Sequence, residues 1–105
     1  MTTSSFLIQF DSASGTLKIG FNPDKPSTNV DLVQDAAAVI AGLSDQIAGT
    51  PCLKINGPAS LPVAFVLAHA LCHIVGSIAV FDPKLGKHIV TVSHNPDFTI
   101  GATVD

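Results

Sequence analysis

Two short runs near the start of the chain alternate strictly: Phe6, Ile8 and Phe10, then Leu17, Ile19 and Phe21. A period of two sets such side chains on one face of an extended backbone. Asp11-Ser-Ala-Ser-Gly15 lies between them and has turn chemistry, so the segment predicts a strand, a turn and a strand. Pro23 and Pro26 make Asn22 to Ser27 a loop. Thr28, with Asp31 three residues on, then opens a helix that has an acid in its first turn. Its pattern sets Val33, Ala37, Ile40 and Ala41 on one face, with Asp31, Gln34 and Asp35 elsewhere. Gly42 reads as a stop or kink, and Leu43 to Ala48 as a further helical turn.

Cys52 to Ile55 reads as a short strand that runs into Asn56-Gly57-Pro58. Ser60 caps the next helix, Pro62 fits its first turn, and Gly76 stops it after about Val75. Ser77 to Phe81 is a buried strand and Asp82-Pro-Lys-Leu-Gly86 a turn. His88 to Ser93 follows as a strand with Ile89, Thr91 and Ser93 opposite Val90 and Val92, and Phe98 to Val104 adds a last edge strand. Strand 51–55, helix 60–75 and strand 77–82 form a βαβ unit, so the two strands run parallel, whereas 88–93 returns antiparallel. The expectation is one α/β domain over residues 1–105, built on a small mixed sheet.

Composition changes the picture in two ways. At 105 residues and 47% hydrophobic, the chain has more apolar surface than a domain of its size can bury, which predicts self-association. No apolar run reaches the roughly 18 residues of a membrane span, and Met1-Thr-Thr-Ser-Ser lacks the basic start of a signal peptide, so the expected location is cytoplasmic. The net charge of −3, with no Arg, Trp or Tyr, argues against coating long nucleic acid but leaves small anionic ligands open. Cys52 and Cys72 fit neither a disulfide framework nor a zinc pattern, and read as small buried thiols.

The βαβ topology sorts the polar residues. Asn56, Gly57, Pro58, Ser60, Asp82 and Lys84 fall at the end where the parallel strands finish and the helix begins. Ligands bind at that end of open α/β sheets, and a helix N-terminus there suits an anion. His69 and His73, four apart on one helix face, gather with His94 at the opposite end. A six-residue strand spans roughly 20 Å, so one subunit does not unite His73 with Asp82.

Each feature also has a plain structural reading. An apolar helix can carry a satisfied core histidine, Asp-Pro often builds a turn, and Gly57-Pro58 can be only a turn. Lys84, Lys87 and His88 read equally as solvated turn residues. H-x-x-x-H lacks the Glu of zinc proteases, and neither a G-x-S-x-G elbow nor a phosphate loop occurs.

Residues 54–94, KINGPASLPVAFVLAHALCHIVGSIAVFDPKLGKHIVTVSH, resemble the small CRISPR-associated ring nucleases of the Csx-three kind. The family pattern is a G-x-G-P turn, a helix ending near A-H-x-x-x-H, a strand closing on D-P-[RK]-L-G, and a strand ending in S-H. Here these are Asn56-Gly57-Pro58, Ala68-His69 with His73, Asp82 to Gly86, and Ser93-His94. The resemblance implies a fold distantly related to CARF domains and cleavage of cyclic tetra-adenylate, with short RNA as a further substrate and manganese (Mn2+) as cofactor. It implies homodimers, two of which sandwich the ring as a tetramer. Carried over by position, His73, Asp82 and Lys84 would be catalytic. Asn56, Gly57, Pro58, Ser60 and Gly86 would contact ligand, and His69, His94 and Asp82 would serve a metal or support it. Lys84 stands where Arg is frequent, and offers a point charge in place of a fork.

Two chemical routes follow from the resemblance. Either the ribose 2′-hydroxyl attacks the adjacent phosphorus with His73 moving the proton, or a manganese-bound water attacks. Two other classes stay open: a sensor or sink that binds the ring without cutting it, and a structural oligomer whose histidines belong to the core.

Overall fold

In the computed structural model, which describes residues 4–105, the two alternating runs pair as antiparallel strands β1 (Phe6–Asp11) and β2 (Thr16–Phe21). Gly15, at φ 67°, takes the left-handed position of the turn between them. Helix α1 (Asn29–Ile47) leads to β3 (Leu53–Asn56), and α2 (Leu61–Cys72) leads to β4 (Ser77–Asp82). Strands β5 (Lys87–Ser93) and β6 (Thr103–Val104) complete the chain. The sheet order is β1-β2-β3-β4-β5-β6, so every strand lies beside its neighbour in sequence. The β2–β3 and β3–β4 pairs are parallel and the other three antiparallel. The α/β class, the mixed sheet and the βαβ unit are as expected.

Two successive right-handed crossovers in one direction put both helices on the same face of the sheet. There α1 and α2 pack against each other, α1 also meets β1, and α2 meets β4 and β5. Phe6, Leu17, Leu53 and Ile78 from the sheet meet Leu32, Ile40, Leu67 and Leu71 from the helices in one core. Full burial of each such side chain stabilises by about 1.5–3 kcal/mol. The opposite face stays open over β1 to β3, where Gln9, Lys18 and Asn56 are exposed.

Several details differ from the sequence expectation. α1 runs unbroken through Gly42. Its buried face is Leu32, Ala36, Ile40 and Ile47, while Ala37 and Ala41 are exposed, because an alanine-rich run marks its apolar stripe only weakly. Thr28 is the N-cap residue but makes no side-chain cap bond, whereas Ser60 Oγ accepts from the Val63 N–H at 3.4 Å as expected. α2 ends at Cys72 and leaves His73 as its C-cap; Ile74 and Val75 turn away, both donating to the Leu71 carbonyl. A bulge at Ile78/Ala79 pairs Ile78 with Val92 and Ala79 with Val90, so the two valines face opposite sides of the sheet. The final strand is only two residues long.

Candidate functional site

The histidine end forms where α2 stops and β4 begins. His69 and His73, one helical turn apart, turn their rings edge to face, with centroids 4.9 Å and Nε2 atoms 3.3 Å apart. One imidazole can donate to the other only when they hold complementary tautomers. Both rings are exposed, so the core-histidine reading fails for this pair. His94 follows the end of β5, and its N–H donates to the Gly76 carbonyl at 2.8 Å, which fixes it at the same end of the sheet. Gly76 has no room for a side chain: a Cβ would lie 2.8 Å from the Pro51 carbonyl oxygen.

The opposite end gathers the C-termini of β2, β3 and β4 and the N-termini of both helices. Asn29 and Ser60, at the two helix starts, are tied by Ser60 Oγ donating to Asn29 Oδ1 at 2.7 Å. Their free N–H groups and dipoles favour negative charge there. Asp82 Oδ1 accepts the Lys84 N–H at 2.8 Å, and its carbonyl accepts the Gly86 N–H at 2.9 Å. Asp82 therefore builds the turn that presents Lys84, with Oδ2 left over for other chemistry. Lys84 is exposed, and the two side chains form no ion pair.

Gly57 has φ 135°, and a Cβ on it would lie 1.8 Å from the Ile19 carbonyl oxygen. The turn thus packs directly on β2, and glycine is required there whatever the ligand. Ser60 is similarly engaged, between Asn29 and the α2 cap. Asn56 and Pro58 are exposed beside them, and Gly86 sits at φ 64° in the Asp82 turn.

The six residues of β4 separate the two ends, as the topology required. His69, His94 and Asp82 are therefore not brought together in one chain, and among the described residues no group of three His, Cys, Asp or Glu side chains could hold a metal. The His69–His73 spacing does suit two neighbouring ligands of one ion, whose nitrogens stand about 3.0–3.4 Å apart at metal distances of about 2.1 Å. Two imidazoles alone are a poor donor set for manganese, which prefers oxygen.

His88 behaves unlike the solvated turn residue its position suggested. It is 8% exposed, lies against the Phe81 ring at 5.3 Å, and pairs across to Val104. Burial holds its pKa below the ordinary histidine value; the Val104 backbone opposes this and the Lys54 charge reinforces it. Neither ring nitrogen has a hydrogen-bond partner of good geometry. The signal was its place two residues before Val90, on the same strand face. Asp35, placed off the apolar face of α1, accepts from both the Ser5 N–H and hydroxyl, which hold its pKa low and tie α1 to the start of β1.

A one-sided α/β domain with a histidine pair at one end and an Asp–Lys turn at the other is the class that this geometry defines. Residues 39–105, well over half of the chain, match the family described as CRISPR-associated protein (Cas_csx3), and the chain belongs to that family. No curated protein and no solved structure matches it. Among the described residues no helix is long and apolar enough to cross a membrane.

Proposed function

We propose that this CRISPR-associated protein is a cytoplasmic ring nuclease that opens cyclic tetra-adenylate and so ends type III signalling, with an active site shared between stacked dimers. The observation that carries this reading is the separation of the His69–His73 pair from Asp82 and Lys84 by the length of β4. Neither end is complete alone. Stacking subunits end to end around a ring would bring one copy's imidazoles to another's carboxylate and amine.

In that composite site the ribose 2′-hydroxyl attacks the adjacent phosphorus, and His73 accepts its proton. His69, at hydrogen-bond distance, orients the His73 ring through its tautomer. Lys84 and the helix N-termini offset charge on the phosphoryl oxygens. The P–O5′ bond breaks, the 5′-oxygen takes a proton from water, and a 2′,3′-cyclic phosphate remains. Attack by water gives a linear phosphate instead, so the product's end group separates the routes. Asp82 of a stacked copy would give manganese an oxygen donor, and the ion would supply neutralisation of phosphoryl charge.

The second reading, a binder that does not cut, draws on the commitment of Asp82 Oδ1 to its own turn. Incubation of cyclic oligoadenylates of several ring sizes, with and without manganese, followed by chromatography, separates the two. Linear product from the four-membered ring supports cleavage. A ring that is retained by the protein but stays intact supports binding alone.

A further inference from the structure

The face of the sheet that carries no helix is not open everywhere. Lys54 stands in register with Ala79, Ala79 with Val90, and Phe81 with His88, so these side chains share that face. Ala79, Val90 and His88 are nevertheless buried. The last stretch of chain closes the face there. It turns back along β5, the Gly101 N–H donating to the Val90 carbonyl and the Val90 N–H to the Ala102 carbonyl, both at 2.9 Å. Val104 then pairs with His88, and Asp105 reaches inward. Lys54 Nζ, from β3, donates to the Asp105 carbonyl at 3.3 Å, while Lys87 Nζ lies 3.7 Å from the Asp105 carboxylate. The Lys54–Asp105 link spans β4 and β5 on the helix-free face, and so lies over His88.

We propose that residues 101–105, β6 included, form a strap over His88 that opens when the imidazole takes up a proton. The neutral ring already leaves both nitrogens without a partner of good geometry. A second N–H and a positive charge raise the cost of keeping it covered. The charged groups around the ring do not compensate. Lys54 on β3 and Lys87 beside it on β5 are cations, and Asp105 is already shared between them. Asp82 and Lys84 belong to the turn beyond Phe81, where the Asp82 carboxylate accepts the Lys84 N–H. His94 and Asp97 stand past the opposite end of β5, and Thr103 and Val104 of β6 carry no charge. The strap is also the most weakly held cover. A two-residue strand and one exposed ion pair secure it, whereas β4 and β5 pair over their full lengths. Lifting the strap therefore relieves the charge on His88 and leaves the core closed.

This opening does not depend on the nuclease reading. Residue-resolved hydrogen exchange at pH 7.5 and pH 5.5 tests it, with rates corrected for the pH dependence of unprotected amides. A solvated histidine titrates near about 6.5, so protection of the Val90 and Gly101 amides should fall roughly tenfold across that interval. Leu17 and Leu67, in the core, should keep theirs. His88→Leu has no proton to take up and should hold its protection at both pH values. Should that variant fail to fold, the ring protons of His88 in the wild-type chain serve, since their chemical shift should change over the same pH range as protection is lost. Protection unchanged at pH 5.5, or an equal loss in His88→Leu, would overturn the proposal. So would a loss shared equally by Leu17 and Leu67, or a His88 ring that titrates over a different range.

Discussion

His88 places two unpaired ring nitrogens in the interior, between the Phe81 ring and Val104, with the Lys54 charge nearby. Because its folded pKa is lowered, the unfolded chain binds a proton that the folded chain resists. The stability it contributes is whole above the unfolded value of about 6.5 and is lost as pH falls through the lower folded pKa. Melting temperature should therefore fall between pH 7.5 and pH 5, and fall less in His88→Leu. That variant should also gain about 1 kcal/mol near neutral pH by removing unsatisfied polar atoms. Parallel pH profiles for the two proteins would show that the cost lies elsewhere. The burial of His88 was hard to read from sequence because its neighbours Gly86 and Lys87 are turn-like. Of its in-register partners, Phe81 lies just across the Asp82–Gly86 turn, but Val104, which covers it from the other side, is distant along the chain.

At the scale of elements, α1 shows how a local signal yields to its surroundings. Glycine costs a helix interior roughly 1 kcal/mol relative to alanine, which made Gly42 look like an end. Packing of Leu32, Ala36, Ile40 and Ile47 against the sheet carries the helix through it. Nothing lies within 4 Å of a Cβ built on Gly42, and its φ is not in the left-handed region. Gly42→Ala should accordingly stabilise the protein by about 0.5–1 kcal/mol, read as a higher urea midpoint at unchanged slope. A lowered midpoint would mean that this stretch of α1 meets something the isolated chain does not show. Strands with clean alternation, Phe6 to Phe10 and Leu17 to Phe21, were legible with their pairing, since period and turn both point one way. The β5 bulge was not, because the inserted Thr91 leaves the residue pattern looking regular while it turns Val90 and Val92 to opposite faces.

For the whole molecule, the order strand, helix, strand was enough to predict that the histidines and Asp82 lie at opposite ends, since a parallel crossover leaves no other arrangement. Contact between His69 and His73 followed from their spacing, but their shared geometry joins two residues that position alone had given different roles. The engagement of Gly57 and Ser60 in packing depended on β2 and α1, which lie far away in sequence. The composite site is the central claim, and complementation measures it most directly. His73→Ala and Asp82→Ala proteins are purified separately and then assayed for cyclic tetra-adenylate cleavage alone and mixed. Each should be inactive alone, and the mixture should regain activity, because a stacked pair of unlike dimers restores one intact histidine end facing one intact Asp–Lys end. A mixture as inactive as its components, formed from folded proteins that still bind the ring, would contradict a site shared between subunits.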